Sequence, residues 1–437
     1  MKILVVGASG FIGRALCRRL AAAGHAVARG VRHPSRGGDI AIDYSAPRDW
    51  TRDLAGFDAV VNAVGIIVER PGVKFADVHE RGPSALFAAC AAAGVRRVVQ
   101  VSALGVVDGD TPYFRSKLAA DRALMALPLE WQIVRPSLVY GEDGASAGMF
   151  RTLASLPVVP VPELGGARFQ PVHIDDVCEA VARLLEPSTP ARQELELVGA
   201  AALGYRGMLD TYRRAMGFAA PLYVTIPAPL MRVAAAAGGL VPGAPLTPDT
   251  WRMLRAGSAA TSGGAGAGSA ADRGQGPGPG GAAGMARLLG RPPRGIGEFI
   301  GGRDAELLRH RALATWRTPL LRAVLAIVWI VTALLSAFVY PLQDSLAMLS
   351  ALGIHGNAAL ASLYGASLLD LILGAATIAW PRRALWLAQA ALILGYSAAI
   401  AIALPEYLVH PFGPLLKNLP ILAILLTLYT EHEAWTT

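Results

Sequence analysis

The chain has 437 residues, of which 53% are hydrophobic and only 16% are charged, and its mean hydropathy is +0.42. Soluble globular proteins carry about 25% charged residues, so this composition argues against a wholly water-soluble protein, and the hydrophobic content excludes an intrinsically disordered one. The net charge of +8 comes without a dense run of lysines and arginines. We therefore expect no nucleic-acid partner. The balance of charge instead fits a membrane protein whose partner is a lipid bilayer and whose spans have basic residues at their cytoplasmic ends.

Residues 1–200 alternate short apolar runs with longer helical stretches. The apolar runs are Ile3–Val6, Ala59–Val64, Val98–Val101 and Ile133–Val134, and the helical stretches that follow include Phe11–Ala23, Gly82–Gly94 and Tyr113–Leu127. Strands that alternate with helices pair in parallel. The pattern predicts an α/β fold with a doubly wound parallel sheet, and short proline-punctuated helices at about 200–250 predict a small lobe that closes over it.

The first apolar run leads into a glycine pattern. Val5-Val6-Gly7-Ala8-Ser9-Gly10-Phe11-Ile12-Gly13 places G-x-x-G-x-x-G between a strand and a helix. In such a turn the first glycine permits the tight bend, the second lets a pyrophosphate approach the backbone, and the third allows close packing of helix on strand. The helix N-terminus offers free N–H groups to phosphates. We predict cofactor contacts from Gly7, Ser9, Gly10, Phe11, Ile12 and Gly13; a glycine turn without a ligand is the alternative.

The residues near the end of the second strand bear on the choice of cofactor. An acidic residue there would hold the ribose 2′-hydroxyl of NAD(H), whereas an arginine suits the 2′-phosphate of NADP(H). The sequence has Arg29, Arg32 and His33 at this point and no acid. This favours NADP over NAD, with Arg32 as a candidate contact, unless these arginines are only solvated surface charges.

Three residues that come later in the sequence, Ser102, Tyr113 and Lys117, are candidates for catalysis. Tyr113 and Lys117 are four residues apart and share a helix face, and the lysine is expected to lower the tyrosine pKa. Tyr113 could then act as acid or base at a carbonyl or alcohol carbon while a hydride moves, with Lys117 also contacting the nicotinamide ribose and Ser102 orienting the substrate oxygen. The alternative is an ordinary Tyr/Lys pair, which is common on helices. Asn62 and Val64 are expected to help close the cofactor pocket, although Asn62 could equally cap a strand end.

The remaining polar residues of this region have structural interpretations. Asp175 and Asp176 are predicted to cap the N-terminus of the helix Val177–Leu185. His79 and His173 have no partners at metal-ligand spacing and are interpreted as core or surface histidines. Cysteines are few and lack zinc spacing, so we expect reduced thiols in a cytosolic domain and no metal site.

The second half of the chain changes character. Residues 256–284 are glycine, alanine, serine and proline with almost no large apolar side chain, which predicts a flexible insertion, and 285–318 is expected to be a connecting helical segment. Four apolar stretches follow, and each approaches the roughly 20 residues that a membrane span needs. They are Ala323–Tyr340, Asn357–Trp380, Ala384–Leu404 and Phe412–Tyr429. We predict an all-α four-helix transmembrane bundle over 319–437.

Arginine placement predicts the orientation of this bundle. Four arginines at 309–322 precede the first span and two at 382–383 separate the second from the third, whereas the loops 341–356 and 405–411 have no Lys or Arg. Loops rich in Lys and Arg remain on the cytoplasmic side of a membrane. We therefore expect the bundle in the inner (cytoplasmic) membrane, with the N-terminal domain and the C-terminus in the cytoplasm. Asp370 and Lys417, inside the apolar stretches, could pair, line a quinone or proton path, or lock helix packing.

The motifs of about residues 1–250 together resemble a known family. They are the glycine opening, Asn62-Ala63-Val64-Gly65, Ser102-Ala103-Leu104-Gly105, Tyr113-Phe114-Arg115-Ser116-Lys117, Arg135-Pro136-Ser137-Leu138-Val139-Tyr140-Gly141 and Pro171-Val172-His173-Ile174-Asp175-Asp176-Val177. In this order they resemble the extended and atypical short-chain dehydrogenase/reductases (epimerase/dehydratase-like), in the branch that includes the complex I accessory subunit. The resemblance implies a Rossmann fold, a bound nicotinamide dinucleotide and a substrate lobe, and Ser102, Tyr113 and Lys117 match the family's catalytic residues.

The hydrophobic end resembles the DoxX-like four-helix membrane domains found fused to such dehydrogenases. The similarity rests on Phe338-Val339-Tyr340-Pro341, Leu369-Asp370 and His410-Pro411-Phe412-Gly413-Pro414-Leu415-Leu416-Lys417-Asn418. Two functions follow as hypotheses. One is a membrane-anchored NAD(P)-dependent oxidoreductase that acts on a lipophilic or quinone-like substrate. The other is a subunit or assembly protein of a respiratory membrane complex that holds the dinucleotide without turnover and contacts respiratory-chain proteins.

Overall fold

The computed structural model describes residues 1–241, 243–260, 281–409 and 415–431. Residues 261–280 of the predicted insertion, 410–414 and the C-terminal 432–437 lie outside the described residues. The chain divides into two units, Met1–Ala312 and Leu313–Thr437.

The elements of the first unit alternate as the apolar pattern predicts. Its strands are β1 (Lys2–Val6), β2 (Ala26–Val31), β3 (Ile40–Ala41), β4 (Ala59–Asn62), β5 (Arg97–Val101), β6 (Glu130–Pro136), β7 (Val139–Tyr140), β8 (Val158–Pro162), β9 (Arg168–Phe169), β10 (Val172–His173), β11 (Gln193–Leu197), β12 (Leu203–Gly204) and β13 (Leu222–Ile226). Its helices are α1 (Phe11–Ala22), α2 (Thr51–Leu54), α3 (Gly82–Ala92), α4 (Pro112–Met125), α5 (Ala145–Ser155), α6 (Ile174–Leu185), α7 (Tyr205–Ala215), α8 (Ala228–Gly239), α9 (Pro248–Ala256) and α10 (Gly281–Leu289). A π-helical turn, Ala76–Arg81, leads into α3.

Seven strands of the described chain form one sheet, in the order β11-β6-β5-β4-β1-β2-β3, and every pair in it is parallel. Successive side chains of a strand point to opposite faces. Ile3 and Val5 of β1 therefore pack with α1, α6 and α10, whereas Leu4 and Val6 pack with α2, α3 and α4. The doubly wound sheet is confirmed, and its strand order reverses between β1 and β4, where such sheets bind ligands.

The small lobe has a core of its own. Tyr140 stacks on Tyr212 and Phe299, with ring centroids 5.4 and 4.9 Å apart, and short strand pairs such as β8 with β13 frame this core. Phe299 lies beyond the insertion, so the lobe is completed by residues far along the chain.

The segment after the insertion packs into the first unit. Met285 and Leu289 of α10 are buried in the core beneath the sheet, and Phe299 and Leu308 are buried in the core of the lobe. Arg291 also pairs with Asp176 at 2.7 Å. The predicted connecting segment 285–318 is thus part of the first unit as far as Ala312, because its apolar side chains fill both cores.

The second unit is helical. The remaining helices are α11 (Gly302–Leu334), α12 (Leu342–Ala351), α13 (Gly356–Ala379), α14 (Arg383–Ala403) and α15 (Asn418–Glu431). Among the described residues, three helical segments are long and apolar enough to cross a membrane: Gly302–Val339, α13 and α14. α15 has only 14 residues, and part of the predicted span Phe412–Tyr429 lies outside the described residues, so the count of four spans stays a prediction.

Polar side chains join the helices of this unit. Trp329 Nε1 donates to Gln389 Oε1 at 3.1 Å, and Gln389 Nε2 donates to Thr377 Oγ1 at 2.8 Å. Gln389 is fully buried, so its amide acts as interhelical glue. Asp370, also buried, has one carboxylate oxygen without a hydrogen-bond partner among the described residues.

Candidate functional site

The glycine turn between β1 and α1 has the geometry of a phosphate cradle. Gly7 has a φ of +81°, in the left-handed region that favours glycine. A Cβ on Gly13 would lie 2.1 Å from the carbonyl oxygen of Gly7, so only glycine lets α1 approach the turn this closely. Gly10 is the N-cap of α1 and makes no side-chain capping bond. The first N–H groups of α1 are thus available to an anion, and this fits the predicted dinucleotide.

Neighbouring residues hold this turn in place. The amide of Gly7 donates to the Gly30 carbonyl at 2.9 Å, and Arg14 Nη1 donates to the carbonyl of Ser9 at 2.7 Å. The Phe11 ring lies against Gly141, where an added Cβ would meet it at 2.6 Å. Phe11 therefore joins the start of α1 to the loop after β7.

The two arginines near the end of β2 differ in their surroundings. Arg29 lies 3.4 Å from Asp39 in an ion pair. Arg32 is exposed and lies one residue past the end of β2, where the family pattern places the group that contacts the adenosine ribose. Arg32 is thus the better candidate for a 2′-phosphate.

Asn62 lies at the end of β4, across the switch point from the glycine turn. Its Oδ1 accepts from the Tyr44 hydroxyl at 2.9 Å and from the amide of Val64 at 3.3 Å, and its Nδ2 donates to Gln100 at 2.7 Å. The side chain is fully buried and fixes the turn after β4. Val64 packs over Gly7, since a Cβ there would meet its Cγ2 at 3.0 Å. Val64 thus lies directly against the glycine cradle, and Asn62 supports the turn that carries Val64.

Tyr113 and Lys117 lie on one face of α4. Lys117 is buried, and its Nζ donates to the carbonyls of Val101 at 3.1 Å and Val64 at 3.3 Å. These carbonyls follow or end β4 and β5, so Lys117 bridges the carboxyl ends of two neighbouring strands. Tyr113 is half-buried, and its ring contacts Phe75, His79 and Phe114 edge-on.

The structure corrects the expected effect of Lys117 on Tyr113. Burial, with a smaller effect of Asp121, raises the pKa of Tyr113 to about 12, and burial lowers the pKa of Lys117 to about 8. Desolvation penalises the charged form of both groups, and the lysine is directed at backbone carbonyls. Tyr113 is therefore a neutral phenol at pH 7 rather than a phenolate.

Ser102 is engaged by Asp121. Its hydroxyl donates to Asp121 Oδ2 at 2.7 Å, and Arg135 lies 3.6 Å from the same oxygen. Burial raises the pKa of Asp121 although Ser102 and Arg135 counteract it. The structure thus brings Tyr113 and Lys117 together and pairs Ser102 with Asp121. Sequence reasoning missed Asp121, although the spacing 113, 117, 121 marks one helix face.

His79 is the second residue that the sequence analysis undervalued. The Ile66 amide donates to His79 Nε2 at 3.0 Å, so the ring proton of His79 lies on Nδ1. Nδ1 is 3.1 Å from Ser116 Oγ. The Ser116 hydroxyl in turn donates to the Tyr113 carbonyl at 2.9 Å. Burial and the Lys117 charge lower the pKa of His79 to about 2. This neutral histidine joins the loop after β4 to the first turn of α4, which carries Tyr113.

His173, by contrast, is itself the N-cap of α6, where it accepts from the Asp175 amide, so the predicted caps Asp175 and Asp176 do not cap that helix.

A cavity of about 570 Å³ lies next to this network. Ile67, Val68 and Phe75 provide apolar wall, Ser116 and Arg115 come from α4, and Gly239 and Thr247 come from the lobe. The cavity is large enough for a small organic ligand.

Comparisons with known proteins agree with this geometry. Residues 7–157 match the model of an NAD(P)H-binding family, and residues 326–426 match the model of the DoxX-like family. The first unit is thus similar to NAD(P)H-binding proteins, and the apolar helices near the end of the chain, which are long enough to cross a membrane, are similar to the DoxX-like family.

Curated relatives match part of the chain. A ceramide reductase of Caulobacter vibrioides is 31% identical over 192 residues, which are 42% of this chain and 59% of the relative. An Arabidopsis thaliana protein, NADH dehydrogenase [ubiquinone] 1 alpha subcomplex subunit 9, is 29% identical over 53% of this chain and 62% of its own length. The chain thus spans about three fifths of the length of these relatives. Among solved structures, UDP-N-acetylglucosamine 4-epimerase from Bacillus cereus is 18% identical, with a TM-score of 0.45 over 52% of this chain and 85% of the other.

Proposed function

We propose that the protein is a membrane-anchored NAD(P)-dependent oxidoreductase of the short-chain dehydrogenase type, which reduces a carbonyl or quinone-like group on a lipophilic substrate. One observation carries the proposal: the glycine cradle and the Tyr113/Lys117 pair lie at the same carboxyl edge of the sheet. The Caulobacter relative, whose name assigns it a lipid substrate, supports the lipophilic class.

The chain's own residues would hold and move the proton. The glycine cradle and Lys117 would hold a nicotinamide cofactor, whose chemistry is to supply a hydride for the carbonyl carbon. Tyr113, protonated at pH 7 because its pKa is about 12, gives its phenolic proton to the carbonyl oxygen, so an alcohol forms. Lys117 uses two of its three N–H donors on backbone carbonyls, and its third is available for the nicotinamide ribose.

A second candidate is a subunit or assembly factor of a respiratory membrane complex that binds the dinucleotide without turnover. Two observations favour it. The Arabidopsis relative is named as a subunit of NADH dehydrogenase, and the hydroxyl of Ser102 already donates its hydrogen bond to Asp121. Respiratory-chain proteins would then be the partners.

For the membrane part we propose four spans in the inner (cytoplasmic) membrane, with the N-terminal unit and the C-terminus in the cytoplasm. The arginines before the first span and between the second and third support this topology, since basic residues flank the cytoplasmic ends of spans.

Dinucleotide binding tests the proposed function first. We expect NADPH to bind the detergent-solubilised full-length protein saturably and Gly10→Glu to weaken this binding roughly a hundredfold. A carboxylate about 5 Å from a phosphate charge is repelled by about 3 kcal/mol at an effective dielectric of about 20. Ala21→Glu, an exposed position at the other end of α1, is the matched control and should bind normally. Nicotinamide fluorescence measures both, and the absence of saturable binding of NADPH and NADH in the wild type would refute both candidate functions.

Arg32 decides the choice of cofactor. We expect Arg32→Ala to weaken NADPH binding about tenfold or more, because a charged hydrogen bond is worth about 1.5–3 kcal/mol, and to leave NADH binding unchanged. Arg36→Ala removes an exposed charge from the same loop and controls for general electrostatics. Equal losses for both cofactors, or tighter NADH than NADPH binding in the wild type, would contradict the assignment.

A further inference from the structure

One stretch of the first unit exposes far more apolar surface than the rest of its lobe. We call it the apolar segment and define it by six side chains that are between 42% and 85% exposed: Leu222, Val224, Leu230, Val233, Leu240 and Val241. All six fall within residues 222–241, and concentrations of exposed apolar side chains on a soluble surface mark binding sites. The segment comprises strand β13, helix α8 and the two residues that follow α8.

The helix at the centre of this segment is apolar yet hardly buried. Of its twelve residues only Ala235 is fully buried. Leu230 and Val233 are three residues apart and are therefore neighbours on the helix surface, and both are more than half exposed. The described fold thus gives this helix face no apolar partner within the first unit.

The charge of the segment indicates what covers it. Residues 211–248 contain no aspartate or glutamate, and Arg232, in the middle of α8, is exposed. Two carboxylates from other elements contact the ends of the segment: Glu163 accepts from the Ala228 amide at the start of α8, and Asp210 accepts from the Tyr223 hydroxyl. α8 itself combines apolar side chains with a basic residue and has no acid, as is typical of a helix that lies in the interface of an anionic bilayer.

The chain itself supplies the bilayer. The second unit contains helical segments that can cross a membrane, so a lipid surface is always within reach of the first unit and its effective concentration is high. We propose that the apolar segment inserts into the headgroup region of the bilayer that holds the second unit.

The segment also reaches the candidate substrate cavity. Gly239, at the end of α8, lines that cavity, and Leu240, next to it, is 85% exposed. The cavity wall includes Ile67, Val68 and Phe75. A lipophilic substrate therefore passes from the interface along the end of α8 to the cavity beside α4; this part of the inference rests on the proposed function.

Depth-resolved lipid contact tests the docking itself. The background is the full-length protein with Cys17→Ser, in which the remaining cysteines, Cys90 and Cys178, are buried. One further cysteine is introduced into it by Val233→Cys or Leu240→Cys. The new cysteine is labelled with an environment-sensitive fluorophore, and the protein is placed in nanodiscs that contain anionic lipid. We expect blue-shifted emission and quenching by lipids that carry a spin label. Ser188→Cys, at an exposed loop position, is the control and should not be quenched.

Two outcomes would overturn the inference. Emission from positions 233 and 240 that resembles that of position 188 would mean that the segment faces water. Shielded emission without quenching by spin-labelled lipid, equal in detergent and in nanodiscs, would mean that protein covers it, either a second copy or the chain's own membrane unit.

A kinetic experiment tests substrate entry separately. The double variant Val233→Asp with Leu240→Asp should bind NADPH as the wild type does and turn over a water-soluble carbonyl compound unchanged. Its KM for a long-chain carbonyl compound in vesicles should rise about tenfold. Equal KM values for the long-chain compound would refute entry through the interface. If the wild type reduces neither compound, the proposed function fails while the lipid-quenching result still stands.

Discussion

Tyr113→Phe is expected to lower the rate of carbonyl reduction by about 10²–10⁴-fold, the usual contribution of a positioned general acid. The change removes the phenolic proton but keeps the ring that contacts Phe75, His79 and Phe114. NADPH affinity and thermal stability should therefore stay near those of the wild type. Single-turnover oxidation of bound NADPH, followed by absorbance, measures the chemical step.

A matched variant separates chemistry from packing. Tyr205 likewise has edge-on ring contacts, with Phe150 and Phe169 in the lobe, so Tyr205→Phe should leave the rate unchanged. If Tyr113→Phe reduces substrate as fast as the wild type, or restores full function in cells, Tyr113 is not the acid and the non-catalytic subunit becomes the better explanation.

His79→Leu is expected to lower the free energy of unfolding by about 1–3 kcal/mol and to lower the reduction rate together with it. Leucine fills the space but leaves the Ile66 amide without its acceptor, and an unsatisfied buried group costs about 1–3 kcal/mol. Ser116 loses the contact with His79 but still donates to the Tyr113 carbonyl. His79→Gln, which can still accept a hydrogen bond, should recover part of both losses. Chemical unfolding of the full-length protein in detergent measures the difference, and a His79→Leu protein of wild-type stability would contradict the role of this network.

The same residue predicts a pH dependence with a definite sign. The pKa of His79 in the native protein is about 2, below the ordinary value of 6.5. Below pH 6.5 the unfolded chain therefore binds a proton at His79 that the native protein does not bind. Stability therefore falls as the pH falls. Between about pH 7 and pH 5 the wild type should lose about 2 kcal/mol more than His79→Gln. Parallel stability curves for the two proteins would show that position 79 does not titrate in this way.

The sheet could be predicted because its signal is local. Each strand near the switch point is a short run of apolar residues buried on both faces, as in β1 and β5, and each is followed by a helix. The glycine cradle could be predicted for the same reason, since Gly7, Gly10 and Gly13 are close in sequence and the geometry that requires them is set by two adjacent elements.

The surroundings of Tyr113 could not be predicted in this way. His79 meets Ile66 and Ser116 across 13 and 37 residues of chain, and no sequence pattern shows that these segments meet. The pKa of Tyr113 likewise depends on burial, and two of the rings around it, Phe75 and His79, come from another segment of the chain. Asp121 was within reach of a local argument, because it continues the helix face of Tyr113 and Lys117.

The packing of residues after the insertion has a consequence for biogenesis. Leu308 and Ala312 belong to the core of the lobe, and the first predicted span starts at Ala323. During synthesis the N-terminal unit therefore cannot finish folding before Ala312 has been made. The hydrophobic span that directs the chain to the membrane follows soon after this residue. Domains fold as units as they emerge, so completion of the nucleotide-binding unit and delivery to the bilayer become consecutive steps. A soluble fragment that ends near residue 250 would leave this core open, and only one that continues through Ala312 would retain it.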